Sequence, residues 1–152
     1  HNGTIYNADY LFRRLGLPRY AEVDSELIFR LADRFAPEGP IDQDGLKKAR
    51  ALCRGQMSAV LASRLDPVTI TVLKGNKPLC LRIHRQHRVV LYASDDAFID
   101  FAVDNEKGWR ELEVPPMTML TIRHEDVRAI ENSEFRFIPQ ERKGTLPEGV
   151  NA

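Results

Sequence analysis

The spacing of apolar residues changes once along this chain, and that change limits the folds open to it. In the first third they recur at helical spacing. Ala8, Leu11, Phe12 and Leu15 share one face; Leu27, Ile28, Leu31, Ala32 and Phe35 form a second stripe; Leu46, Ala49, Leu52 and Cys53 form a third. From Met57 onward the period falls to two: Val68, Ile70 and Val72 alternate with Thr69 and Thr71, as in a half-buried strand. Helices and strands are segregated along the sequence rather than alternating. That predicts an α+β layered fold, not a doubly wound parallel sheet.

Local signals place the boundaries. Asn7 caps the first helix and Gly16 ends it; the second runs from Asp24 to Phe35 and stops at Ala36–Pro40; Asp42 caps the third and Gly55 ends it. Strands are expected over Met57–Ser63, Val68–Val72, Leu79–Ile83, Val89–Ala93, Met117–Ile122 and Val127–Ile130, with a short one at Phe135–Ile138. Asp66-Pro67 and Gly75-Asn76 read as turns, His84–Arg88 as a polar hairpin tip, and Asp104–Glu113 as a loop. Ser94-Asp95 caps a short helix carrying Phe98, Ile99 and Phe101. Connections this short make the strands antiparallel. No internal repeat appears. Residues 1–138 read as one domain, and residues 139–152, without apolar periodicity, as a flexible tail.

Charge narrows the function. The chain has 152 residues, with Lys plus Arg and Asp plus Glu both 22, so its net charge is zero. A nucleic-acid binder or polybasic membrane binder carries a basic excess, so neither partner is expected. No apolar run is long enough to span a bilayer. Two cysteines do not make a disulfide scaffold, and a reducing cytoplasm is the expected location.

Three residues stand out chemically. Asn2-Gly3 reads either as a tight turn or as an anion site, because an Asn amide beside a Gly backbone N–H sets two donors in one small space. Asp24 opens the second helix and reads either as its N-cap or as a carboxylate that holds an ammonium group. His84 and His87 flank the hairpin tip with Arg82, Arg85 and Arg88 near them; no Cys or carboxylate lies close in sequence, so a solvated turn is expected there and no metal.

Taken together, "HNGTIYNADYLFRRLGLPRYAEVDSELIFRLADRF" (His1 to Phe35) resembles the class II glutamine amidotransferases. The likeness continues through "CRGQMSAVLASRLDP", "KGNKPLCL" and "LYASD", covering about residues 1–103. It implies the αββα sandwich of N-terminal nucleophile hydrolases, here a partial one with mainly antiparallel strands. It also implies hydrolysis of the glutamine side-chain amide through a cysteinyl thioester, without a cofactor. Asn2 and Gly3 would form the oxyanion hole. Asp24, assisted by Gly3, would bind the α-amino group of glutamine. A synthase domain or subunit would accept the ammonia, and an oligomer is compatible with the sequence.

One departure accompanies the likeness. The family's nucleophile is an N-terminal cysteine whose own α-amine acts as base. Here the chain starts at His1, Cys53 faces inward on the third helix, and Cys80 lies in a strand. The expectation is an N-terminally truncated glutaminase domain, inactive as given, with open strand edges that favour association. The alternative expectation is a non-catalytic module of the same fold that binds glutamine or a partner.

Overall fold

The computed structural model describes residues 1–35, 39–104 and 106–140. Strand β1 (Asn2–Ile5) leads into helices α1 (Ala8–Leu15), α2 (Glu26–Arg34) and α3 (Gln43–Arg50). The long hairpin β2 (Arg54–Ser63) and β3 (Asp66–Lys74) follows, then β4 (Cys80–His84), β5 (Val89–Ala93) and helix α4 (Asp96–Val103). The chain continues through β6 (Trp109–Glu111), β7 (Thr118–Arg123), β8 (Asp126–Glu134) and β9 (Ile138–Pro139).

The large sheet runs β1-β2-β3-β7-β8, with β9 on β2; the small one runs β5-β4-β6. Period-two alternation divides the large sheet's residues between two cores. Met57, Ala59 and Leu61 of β2, with Leu73 and Met119 beside them, face α1–α3 and pack on Leu11, Leu27, Leu31 and Leu46. Val72, Leu120 and Ile122 face the other way and pack on Leu81 and Ile83 of the small sheet. Beyond the small sheet, Arg82 of β4 reaches Asp96 and Asp100 of α4. The layers are therefore helix, sheet, sheet, helix, and the mixed α+β fold expected from the sequence is the fold found.

Several boundaries differ from the sequence reading. Strand β2 begins at Arg54, not Met57, because Gly55 belongs to the sheet instead of ending α3. Its φ is +145°, and a Cβ there would overlap the Thr4 carbonyl oxygen. Leu52, expected inside, is exposed. Asp66-Pro67 is no turn: Ser63 pairs with Asp66 around a two-residue loop, and the register shift between Ala62 and Ser63 spares Pro67 a ladder bond. Trp109–Glu111, expected as loop, pairs with β4. In α4 only Ile99 and Val103 turn inward, while Phe98 and Phe101 are exposed.

Phe135 and Phe137 are buried core residues, and the last strand is Ile138–Pro139, which runs parallel to β2. It fills the space beside Arg54 and Gly55 that β3 does not reach. Pro139 and Gln140, placed by sequence at the head of the tail, are held there, Gln140 N–H donating to the Gly55 carbonyl at 2.9 Å. The remainder of the expected tail, and Ala36–Glu38 of the expected stop after α2, lie outside the described residues. No helix among the described residues is long and apolar enough to cross a membrane.

Candidate functional site

Among the described residues, strand β1 is an edge of the large sheet, and the candidate residues lie on its free side. The Tyr6 N–H donates to the Arg54 carbonyl at 2.9 Å, which sets the alternation of the β1–β2 ladder. Gly3 opposite Met57 and Ile5 opposite Gly55 then fall in pairs that exchange no hydrogen bonds. The partners agree: Met57 gives its N–H to Asn76 Oδ1 at 3.0 Å, not to β1. The N–H groups of Gly3 and Ile5 therefore point away from β2. A glycine is required at position 3, where φ is +137° and a Cβ would overlap the Gln56 carbonyl oxygen.

Asp24 docks on this free side. Its Oδ2 accepts the Ile5 N–H at 2.6 Å. The carboxylate makes no cap to α2, whose first turn begins after Ser25. The N-cap reading is thus set aside, and Asp24 is a carboxylate fixed beside β1. Its second oxygen has no hydrogen-bond partner among the described residues. Gly3 and Asp24, 21 positions apart in the sequence, share one edge.

Asn2 lies one residue upstream and is half-buried. Its Nδ2 donates to the Pro78 carbonyl at 3.0 Å, which orients the amide and leaves its second N–H over. The loop that supplies Pro78 is tied down at several points. Ser58 Oγ accepts the Gly75 N–H at 3.1 Å and donates to the Lys77 carbonyl at 2.7 Å. Lys74 Nζ donates to the carbonyls of Lys77 and Leu79. Gly75 has no room for a Cβ, which would meet the Met57 carbonyl oxygen. Ser58 and Asn76 were not legible as site supports; Gly75-Asn76 was visible only as a turn. Asn7 holds the N-cap position of α1, but its side chain makes no cap bond. It ties the α3–β2 connection, donating to the Leu52 carbonyl at 2.9 Å and accepting the Arg54 N–H at 2.8 Å.

Both cysteine thiols are shifted toward the neutral form. Burial pushes the Cys53 thiol up to about 11, with the charge of Arg50 acting in the opposite sense. Partial burial, then the adjacent Asp96 carboxylate, raise Cys80 as well. The hairpin tip departs from the sequence reading too. His84 is buried rather than solvated, and Glu106 arrives beside His84 and His87 through the β4–β6 pairing.

No family model matches the chain. Over 97 residues, 62% of the chain, it is 31% identical to the glutamine–fructose-6-phosphate aminotransferase (isomerizing) of Shouchella clausii. It is 30% identical, over the same share, to the enzyme of that name from Halalkalibacterium halodurans. The match spans only 16% of the length of either relative. A glutamine aminotransferase class-II domain protein from Silicibacter pomeroyi superposes with a TM-score of 0.52 at 20% identity, over 92% of this chain and 66% of that one. Part of the chain is thus similar in sequence to these aminotransferases, and its α+β fold is shared with the class-II domain protein.

Proposed function

We propose that the free edge of β1 is the glutamine-binding and oxyanion-binding part of a glutaminase centre. The observation that carries this reading is the common orientation of the Gly3 and Ile5 N–H groups, with Asp24 fastened to the second. Two residues along a strand span about 6.6–6.8 Å. The α-nitrogen and the side-chain carbonyl carbon of glutamine are four bonds apart, about 5 Å when extended. A glutamine laid along the edge meets the free oxygen of Asp24 with its ammonium and the Gly3 N–H with its amide oxygen.

A thiolate then attacks the amide carbon, and the electron pair of the C=O moves onto oxygen. The Gly3 N–H and the second N–H of Asn2 receive that charge. Both donors act mainly in the transition state, because the charge is absent from the bound amide. The proton lost by the thiol returns to the amide nitrogen, collapse expels ammonia, which passes to an acceptor on a synthase domain or subunit, and water hydrolyses the thioester. The thiolate is a cysteine other than Cys53 and Cys80, both of which sit in surroundings that favour the neutral thiol.

The second reading, a non-catalytic glutamine-binding module, is favoured by one observation: the Asn2 amide already spends one donor on Pro78. Intact mass of the protein from its natural gene, after exposure to a diazoketone analogue of glutamine, separates the two. One covalent adduct per chain is the expected result. Saturable glutamine binding without an adduct would transfer the site to the module reading, and failure of both would overturn the edge as a glutamine site.

A further inference from the structure

We propose that His84, His87 and Glu106 form a zinc site that ties the β4–β5 hairpin to the loop entering β6. One ligand atom from each lies within 4.8 Å of the others, and among the described residues no second group of three His, Cys, Asp or Glu meets that spacing. Two imidazoles and a carboxylate are borderline donors suited to Zn²⁺, with water in the fourth position. Zinc bonds of about 2.0–2.1 Å set tetrahedral donors roughly 3.4 Å apart. The His87 ring now lies against that of His84, centroids 4.2 Å apart at 31°, and rotation of this exposed side chain out of the stack, with rotation of the exposed Glu106, supplies that contraction.

The surroundings orient these ligands as metal ligands are oriented. The Nε2 of His84 lies 3.1 Å from the Lys107 carbonyl, so it carries the proton and leaves the Nδ1 lone pair facing His87. Only the His87 backbone N–H, at 3.2 Å, occupies that lone pair now. The Trp109 ring meets His84 edge-on at 5.2 Å, and its Nε1 donates to Glu106 Oε2 at 3.0 Å. One residue thus braces two ligands. Gly108, at φ +104°, has no room for a Cβ against His84 Nε2. The loop therefore closes over the ring only because position 108 is glycine. Arg85, Arg88 and Lys107 oppose a cation nearby, but all three side chains are exposed and their charges are screened by water. The site lies at the end of β4 away from Pro78, so it is separate from the β1 edge.

Zinc titration of the chelator-treated intact protein by calorimetry tests the assignment. The wild type should bind one Zn²⁺ per chain and gain thermal stability with it. His87→Ala and Glu106→Gln alter exposed side chains, leave the apo fold intact, and should each weaken binding by at least about tenfold. Trp109→Phe keeps the ring and should cost about 10–100-fold through Glu106 and His84. His124→Ala should leave binding unchanged. Absence of saturable 1:1 binding, or affinity unaltered in both His87→Ala and Glu106→Gln, would overturn the site.

Discussion

Arg50 sits where a hydrophobic side chain is expected. Its side chain is fully buried between α2, α3 and β2, donating to the Ile28 carbonyl at 3.2 Å and to Met57 Sδ at 3.7 Å. Its Nε is buried without a partner among the described residues, and burial lowers its pKa to about 10. A buried cation with no carboxylate costs stability, so Arg50→Met, which keeps the stem and removes the charge, should stabilise the fold by about 1–3 kcal/mol in urea unfolding. A loss of stability would mean that the guanidinium has an anionic partner outside the described residues. Glu26 is the opposite case. Burial pushes its carboxyl upward, but the N–H groups of Tyr20 and Ala21 and the Arg30 guanidinium outweigh it, and the folded value lies below the ordinary one. A depressed carboxyl contributes stability that is complete above the unfolded value, about 4.3, and is lost as pH falls through the folded value. Glu26→Gln should flatten the acid limb of the Tm–pH profile below about pH 4.3; an unchanged limb would show that the three contacts are not made in solution.

At the scale of elements, the sequence was most informative where one period ran unbroken. The stripes Leu27–Leu31 and Leu11–Phe12 correspond to the inward faces of α2 and α1, whereas in β3 only Ile70 and Val72 of the expected alternation join a core, with Val68 exposed and Thr71 buried. It was least informative where backbones approach one another, because close approach leaves no periodic trace. Gly55 reads locally as a helix end, yet it and Gly3 are the two positions where β1 and β2 exclude a Cβ from each other's carbonyls. Position 3 was legible as a candidate site only through its neighbour Asn2 and the likeness of the segment, and the edge orientation of its N–H followed only from the pairing with β2. Two substitutions separate these causes. Gly3→Ala should cost at least about 2 kcal/mol, since φ and space both exclude the methyl group. Gly16→Ala, at φ +60° with nothing within 4 Å, should cost only about 1 kcal/mol for the left-handed backbone. Equal losses at the two positions would contradict the close β1–β2 approach.

At the scale of the molecule, the large sheet has covered faces and, among the described residues, a β1 edge that no further strand pairs. Helices α1–α3 cover one face and the small sheet covers the other. With both faces buried, the edge is where backbone donors are left open to a partner, and the Asp24 carboxylate already uses one of them. The layer order was legible as α+β from segregation of the two periods; the sharing of one edge by residues 3, 5 and 24 was not, because it depends on ladder register. The central claim, that Asp24 holds the ammonium group of glutamine on this edge, is tested most directly by glutaminase kinetics of the intact protein carrying Asp24→Asn. The amide keeps an oxygen for the Ile5 N–H and replaces the charged second oxygen with an NH2 group. The account predicts a rise in KM for glutamine of about 10–100-fold with folding stability preserved. A wild-type KM in that variant would contradict it.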